Sequence, residues 1–191
     1  QHLELCRDIA QKFNNDFNVN DFFKVPEPLI QKEFSRIMSL KDGLKKMSKS
    51  ELSDLSRINL TDEKDQIISK IKKAKTDPHP IPASVEELEK RPEAKNLIGI
   101  YSSIVDSTLD QSVKEFSGKN FSEFKEKLSQ VLVDKITPIS FEIKKLLNEK
   151  DYLDEVLNEG CNKADDLASK KIKKMHEIVG FWDFSNYKFQ F

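Results

Sequence analysis

The sequence predicts a mainly α-helical protein that begins with the last piece of an α/β sheet and continues as a helical bundle. Apolar residues recur at spacings of three and four along most of the 191 residues, which is the helical period. Five glycines and seven prolines are few for this length, so long helices are permitted. One short apolar run, residues 36–40, predicts a strand. A strand cannot stand alone, and we expect its partners upstream of Gln1.

The first fifty residues predict one helix, one strand and a polar loop. Residues 1–15 carry apolar side chains at helical spacings. Residues 25–30 (VPEPLI) must be extended, because the residue before each proline is pushed out of the α region. The strand at 36–40 (RIMSL) is followed by the lysine-rich residues 41–50, which predict a loop.

The rest of the chain predicts five helices. Thr61 is the expected cap of the first, which extends to about Lys75. Pro138 predicts a kink or a break near Thr137, because proline cannot donate to the helical ladder. Asp151 is expected to cap the last helix, and Gly180 to end it. The three predicted helices between these cover residues 94–105, 106–116 and 121–147.

Charge and composition restrict the possible functions. The chain has 32 basic and 33 acidic residues, so RNA could be bound only by local basic patches. No apolar run is long enough to cross a bilayer, and no signal peptide is visible. Cys6 and Cys161 form no CxxC pair and are interpreted as free thiols. The chain starts with glutamine, so we interpret it as a piece of a longer protein.

The segment Lys46-Met47-Ser48-Lys49-Ser50 is the strongest candidate for chemistry. It places two cations and two hydroxyls within five residues, directly after the predicted strand. Lysine is a compact point charge that suits a moving phosphate, and cations stabilise the charge that builds during adenylate formation from ATP. A loop can also close over ATP and open again. The alternative interpretation is a solvated turn rich in lysine and serine.

The surroundings of this segment resemble the tryptophanyl-tRNA synthetase family, in an order and spacing that other class I synthetases do not share. The chain departs from the family pattern after the loop, where Glu51-Leu52 replaces the usual Asp-Pro, and before the strand, where Phe34-Ser35-Arg36 replaces Gly-Ala-Arg. The similar blocks are QHLEL with RDIA and FN, VPEPLI, RIMSL, SRINL, KTD and NLIGIY, between residues 1 and 101.

This resemblance implies an activity and a division of the chain. The activity is that of a tryptophan–tRNA ligase, which joins L-tryptophan to its cognate tRNA through a tryptophanyl-adenylate. Residues 1–50 are implied to be the end of a Rossmann-type catalytic domain, and residues 51–181 a helical tRNA anticodon-binding domain. Residues 182–191 are an aromatic-rich tail that matches nothing in the family. The amino-acid pocket lies upstream, so the fragment alone is expected to be inactive.

The resemblance also implies site residues and partners. Lys46 and Lys49 are the implied catalytic residues, directed toward the phosphates. The implied ATP-binding set is Ile37, Lys46, Met47, Ser48, Lys49 and Ser50, with the Ile37 backbone meeting adenine. ATP with Mg²⁺, L-tryptophan and tRNA(Trp) are the implied substrates, and the full-length enzyme is expected to be a homodimer. The implied location is the bacterial cytoplasm, or alternatively the mitochondrial matrix, with no membrane contact.

The sequence leaves open the exact activity of the protein and the role of two basic clusters. The chain could belong to a class I synthetase for another amino acid, or to a non-catalytic helical interaction module. His79 and His176 have no partner at metal-ligand spacing, so no metal site is predicted. Two basic clusters are interpreted either as solvated helix ends or as tRNA phosphate contacts. These clusters are Lys70, Lys72, Lys73 and Lys75, and Lys170, Lys171, Lys173 and Lys174.

Overall fold

The structure is a computed structural model that describes residues 2–29 and 36–181. The described residues form two compact units, one from 2–29 with 150–181 and the other from 36–149. The predicted tail at 182–191 and the end of the VPEPLI segment lie outside the described residues. The helices are α1 (His2–Asp16), α2 (Lys64–Lys73), α3 (Val85–Leu88), α4 (Pro92–Val105), α5 (Leu109–Phe116), α6 (Phe121–Asn148) and α7 (Lys150–Val179). The predicted mainly α fold is therefore confirmed.

The described residues contain two strands where the sequence predicts one. β1 (Met38–Ser39) and β2 (Asp42–Lys46) pair antiparallel, with Met38 opposite Lys46. The prediction of a loop throughout 41–50 is thus wrong for β2, and β1 has a partner directly downstream. Strand β2 escaped prediction because its outer residues are exposed and polar, apart from Leu44, so it has no apolar alternation.

Two predicted helix starts lie a few residues early. Glu63, not Thr61, precedes α2, and its backbone N–H donates to Gln66 Oε1 at 2.8 Å. Helix α5 begins at Leu109 rather than Asp106, which has the left-handed backbone that ends α4. Glu63 and Thr108 are the residues that precede α2 and α5. Several polar residues precede each helix, and any of them could cap it, so the sequence does not fix the start.

Helix α6 continues through Pro138 without a break. Pro138 and Asp134, whose carbonyl loses its helical donor, are both exposed, so water can satisfy that carbonyl. The buried side chains of α6 end at Ser140, and the final two turns leave the core. Of the predicted kink or break near Thr137, the break is therefore wrong, because proline on the solvent side of a long packed helix costs less than proline facing the core.

The core of the 36–149 unit lies between α2, α4, α5 and α6. Aromatic rings of three helices meet edge to face, with Phe116 4.9 Å from both Tyr101 and Phe124. Lys125 of α6 donates to the carbonyl of Ala74 at 2.7 Å and so caps the end of α2. The largest fully buried side chains include Leu40, Ile67, Ile71, Leu97, Ile98, Phe124 and Leu128.

The second unit combines α1, the segment that follows it, and α7. Four phenylalanines cluster around the end of α1, with Phe13 of α1 lying 5.0 Å from Phe23 and 5.4 Å from Phe22. Lys171 of α7 lies 4.0 Å from the Phe22 ring centroid and donates to the Phe22 carbonyl. No residue of α7 is buried, although its apolar side chains share one face. Cys6 and Cys161 are exposed free cysteines.

Candidate nucleotide-binding loop

The KMSKS segment is half strand and half turn. Lys46 is the last residue of β2, so its backbone is held by the hairpin. The Met47 backbone N–H donates to the carbonyl of Ile37 at 3.0 Å, and its side chain packs on the hydrophobic core. Ser48, Lys49 and Ser50 follow as an exposed turn. The segment therefore begins on a fixed strand and becomes solvent-exposed after Met47.

The turn presents both of its cations to solvent. The Oγ atoms of Ser48 and Ser50 lie 2.9 Å apart, and the Ser50 backbone N–H donates to Ser48 Oγ at 3.3 Å. Lys46 and Lys49 are exposed, and no described residue forms a hydrogen bond or an ion pair with either ammonium group. Both ammonium groups are thus available to an anionic ligand. The hydrogen bonds between Ser48 and Ser50 shape the turn around Lys49.

The segment that follows the KMSKS turn is hydrogen-bonded to Leu40, the residue after β1. The Leu40 backbone N–H donates to the carbonyl of Ser56 at 2.9 Å, and the Leu40 carbonyl accepts from Lys75 at 2.7 Å. Ser56 is 1% exposed and ends a short 3-10 helix, Asp54–Ser56. Because Met47 is bonded to Ile37 and Ser56 to Leu40, the segment 47–56 that contains the turn is hydrogen-bonded at both ends to residues at or beside β1.

Asn96 of helix α4 is hydrogen-bonded to the hairpin, although the sequence predicts no role for it. The Asn96 side chain accepts from the Met38 backbone N–H at 2.9 Å and donates to the Met38 carbonyl at 2.8 Å. It therefore acts as a strand partner, which is the hydrogen-bonding role that β1 needs on this side. One signal was visible, because Asn96 is a polar residue among the apolar residues of a helix predicted to be buried.

Known proteins match the chain along most of its length. The family described as tRNA synthetases class I (W and Y) matches residues 1–138. The chain belongs to this family. It is 47% identical over 182 residues to the tryptophan–tRNA ligase of Caulobacter vibrioides, covering 95% of this chain and 53% of that protein. It is 48% identical over 198 residues to that of Mesorhizobium japonicum, covering 94% of this chain and 56% of that protein.

A solved structure supports the same assignment. Tryptophanyl-tRNA synthetase from Mycoplasma pneumoniae superposes with a TM-score of 0.78 at 27% identity, covering 98% of this chain and 55% of that one. The resemblance inferred from the blocks around the KMSKS loop is thus confirmed. The chain spans about half the length of the curated relatives that it matches.

The two basic clusters are less uniform than the sequence predicts. Lys70 is 3% exposed and ion-paired, so it is not part of a solvated cluster. Lys75 pairs with Glu93 at 2.8 Å, and this hydrogen bond raises the pKa of Lys75 and lowers the pKa of Glu93. Lys171 contacts Phe22. Sequence proximity grouped lysines that the helices direct to different surroundings.

The described residues meet the requirements of neither a metal site nor a membrane-spanning helix. Within residues 2–29 and 36–181, no group of three His, Cys, Asp or Glu side chains could hold a metal ion. No helix in those ranges has both the length and the apolar character needed to span a bilayer.

Proposed function

We propose that the complete protein carrying this chain joins L-tryptophan to its cognate tRNA in an ATP-dependent reaction with a tryptophanyl-adenylate intermediate. Membership of the class I family and the names of the curated relatives support this activity. The structural observation that carries it is the KMSKS turn, where Lys46 and Lys49 expose ammonium groups that no described residue pairs with, in a segment 47–56 whose ends are hydrogen-bonded beside β1. A fixed frame with free cations suits an enzyme that must hold a polyphosphate and then release it.

We assign different roles to the two lysines. Lys46 lies at the end of β2, so its ammonium group extends from a fixed backbone position. Lys49 lies on the turn and can move with it. In the proposed reaction the tryptophan carboxylate attacks the α-phosphorus of ATP and pyrophosphate leaves. Both ammonium groups stabilise the charge that develops on the departing pyrophosphate, with Mg²⁺ entering as part of the ATP complex.

The remaining ATP contacts are proposed from the same segment. Met47, Ser48 and Ser50 complete the implied set, together with Ile37 at the adenine. The Ile37 carbonyl already accepts from Met47, and its side chain is 43% exposed beside the hairpin. A displacement of Met47 would therefore also move Ile37 and change its contact with a nucleobase. This hydrogen bond links adenine binding to the start of the loop.

The partners and the division of the chain are further parts of the proposal. We propose residues 1–50 as the end of the catalytic domain and 51–181 as the anticodon-binding domain of a homodimer, with 182–191 as a tail. We also propose that this chain alone does not activate tryptophan, because its relatives are about twice as long. We propose a cytoplasmic location, because the curated relatives are bacterial proteins.

The decisive experiment is pyrophosphate exchange by the complete protein. We expect exchange of labelled pyrophosphate into ATP that depends on tryptophan. Tyrosine is the control amino acid, because the family covers both synthetases. Exchange driven by tyrosine instead would identify the other branch of the family. Absence of exchange with any amino acid would indicate a non-catalytic helical module.

A further inference from the structure

A charged network built from residues that follow the KMSKS turn buries Lys70. Lys70 Nζ lies 2.6 Å from Asp54 Oδ2 and 2.6 Å from Asp62 Oδ2. Lys70 and Asp62 are 3% and 4% exposed. A buried ammonium group requires compensating charge, and the two carboxylates supply it. The Lys70 hydrogen bond is the main reason why the pKa of Asp54 lies below its ordinary value.

Asn59 and Arg57 complete the network. Asn59 Nδ2 donates to Asp54 Oδ1 at 3.0 Å and to Asp62 Oδ1 at 3.1 Å, and so joins the two carboxylates. Arg57 lies 3.2 Å from Asp54 Oδ1 and donates from Nε to Asn59 Oδ1 at 3.2 Å. Two cations thus face two anions, which leaves no net charge. The network is therefore poorly suited to attract a phosphate itself.

One bond connects this network to the turn. Arg57 donates from its NH1 group to the carbonyl of Glu51 at 2.8 Å, and Glu51 is the residue after Ser50. The Lys70 ammonium group is thus linked to the end of the KMSKS segment through Asp54 and Arg57. At the other end, β2 and the Met47–Ile37 bond already hold the chain. Only Ser48, Lys49 and Ser50 lie between these two attachments.

We propose that Lys70 is a positioning residue for the ATP-dependent step, which holds the downstream end of the KMSKS turn through Asp54 and Arg57. This proposal rests on the proposed role of the turn at the ATP phosphates. Lys70 is too buried to touch ATP, so its effect must pass through Lys49. Releasing Glu51 lets the turn shift, and displacements of about 1 Å at a reacting group can cost on the order of 100-fold in rate.

The test compares two lysine-to-methionine variants of the complete protein. Lys70→Met removes the buried ammonium group at similar side-chain volume. We expect pyrophosphate exchange to lose roughly 10- to 100-fold in kcat/KM for ATP, with KM for tryptophan unchanged. Lys125→Met is the matched control, because Lys125 caps the end of α2 at Ala74 and contacts no part of the turn or the network. It should change the ATP kinetics by less than about twofold. Equal losses in both variants would overturn the proposal.

A double-mutant cycle separates this proposal from the proposed function. If Lys70 acts through the turn, Lys70→Met should add little to the loss already caused by Lys49→Ala. Losses that multiply would overturn positioning through Lys49. Normal exchange in Lys49→Ala would contradict the ATP role of the turn itself. Slow exchange in Lys49→Ala with normal kinetics in Lys70→Met would overturn only the positioning role.

A second variant covers the possibility that Lys70→Met fails to fold. Arg57→Met removes the bond to Glu51 while leaving both ion pairs of Lys70 in place. It should show the same selective loss toward ATP, and faster amide hydrogen exchange in residues 48–53 than wild type. Unchanged ATP kinetics together with unchanged exchange in that peptide would overturn the proposal.

Discussion

The side chain of Asn96 closes two hydrogen bonds on the backbone of Met38, 58 residues earlier in the chain. This pair fixes β1 against α4. On either side of Met38, Ile37 accepts from Met47 and Leu40 donates to Ser56, which bracket the KMSKS turn. The frame of the candidate site is therefore held by the helical part of the chain. A change in α4 should be felt at the loop.

Replacing Asn96 with alanine should destabilise the protein by about 1–3 kcal/mol, because the Met38 N–H and C=O would lose a partner in a poorly solvated position. Asn96 is 9% exposed, so water would not fully replace the amide. Urea denaturation measures the loss. Asn148→Ala is the control, since the exposed Asn148 side chain makes one bond, to Lys144 within α6. Equal stability of the two variants would contradict the role of Asn96.

Gly43 should not tolerate a side chain. A Cβ atom there would lie 2.6 Å from both the Pro92 carbonyl carbon and the Glu93 backbone nitrogen. Those atoms belong to the backbone at the start of α4, so the hairpin would have to separate from the helix. We expect Gly43→Ala to lower the thermal midpoint and to slow pyrophosphate exchange.

The matched control for Gly43 is Gly160→Ala in α7. A Cβ atom at Gly160 meets nothing within 4 Å, and alanine favours a helix over glycine by about 1 kcal/mol. This variant should therefore be as stable as wild type or slightly more so. A Gly43→Ala variant with wild-type stability would show that the hairpin and α4 are not packed as closely as the structure indicates.

The outcome for the helices shows what periodicity can predict. The apolar stripe of α6 predicts that helix, because burial of a stripe along one side requires the helical period. Strand β2 was missed since residues 42–46 bury only Asp42 in part and Gly43, which leaves no alternation to read. Strand β2 pairs with the neighbouring β1 and packs on the start of α4, and the position of α4 cannot be read from residues near β2.

In the candidate site, too, only some of the residues could be predicted from the sequence. The chemistry of Lys46 and Lys49 could be predicted because residue type and local spacing carry it. The attachments could not, since Asn96 and Lys70 act across distances in sequence that no motif records. Lys70 was grouped with Lys72 and Lys73, although successive helical residues face different directions and only Lys70 turns inward.

Tyr101 should make the protein sensitive to alkaline pH. Burial raises the pKa of Tyr101 to about 12 from 10.0, and the hydrogen bond to the Glu115 carboxylate adds to this effect. Because the folded pKa is the higher one, this contribution to stability is complete below pH 10 and is lost as the pH rises from 10 toward 12. Denaturation midpoints at pH 9 and pH 11 should differ more in wild type than in Tyr101→Phe.

Optical titration provides the direct measurement. The sequence has three tyrosines, so the difference between wild type and Tyr101→Phe isolates the Tyr101 phenolate absorbance. That difference should titrate near pH 12 in the folded protein and near pH 10 after denaturation in urea. A folded-state value near 10 would mean that the phenol is neither buried nor bonded to Glu115.

Lys49→Ala should slow tryptophan activation far more than it weakens tryptophan binding. Removing one preorganised charge from a developing transition state costs on the order of 100-fold in rate. The KM for tryptophan should stay unchanged, because the loop faces the phosphates in the proposed arrangement. Stopped-flow measurement of adenylate formation by the complete protein separates the two effects.

The neighbouring lysine makes this test specific. Lys45→Ala removes the same charge one residue before the KMSKS segment, where the Lys45 ammonium group lies 3.8 Å from Asp42. Adjacent residues of a strand face opposite sides, so Lys45 and Lys46 cannot both be directed at one ligand. We expect Lys45→Ala to retain activation within about twofold of wild type while Lys46→Ala and Lys49→Ala lose it. Equal losses at all three positions would mean that general positive charge, rather than the geometry of the turn, attracts ATP.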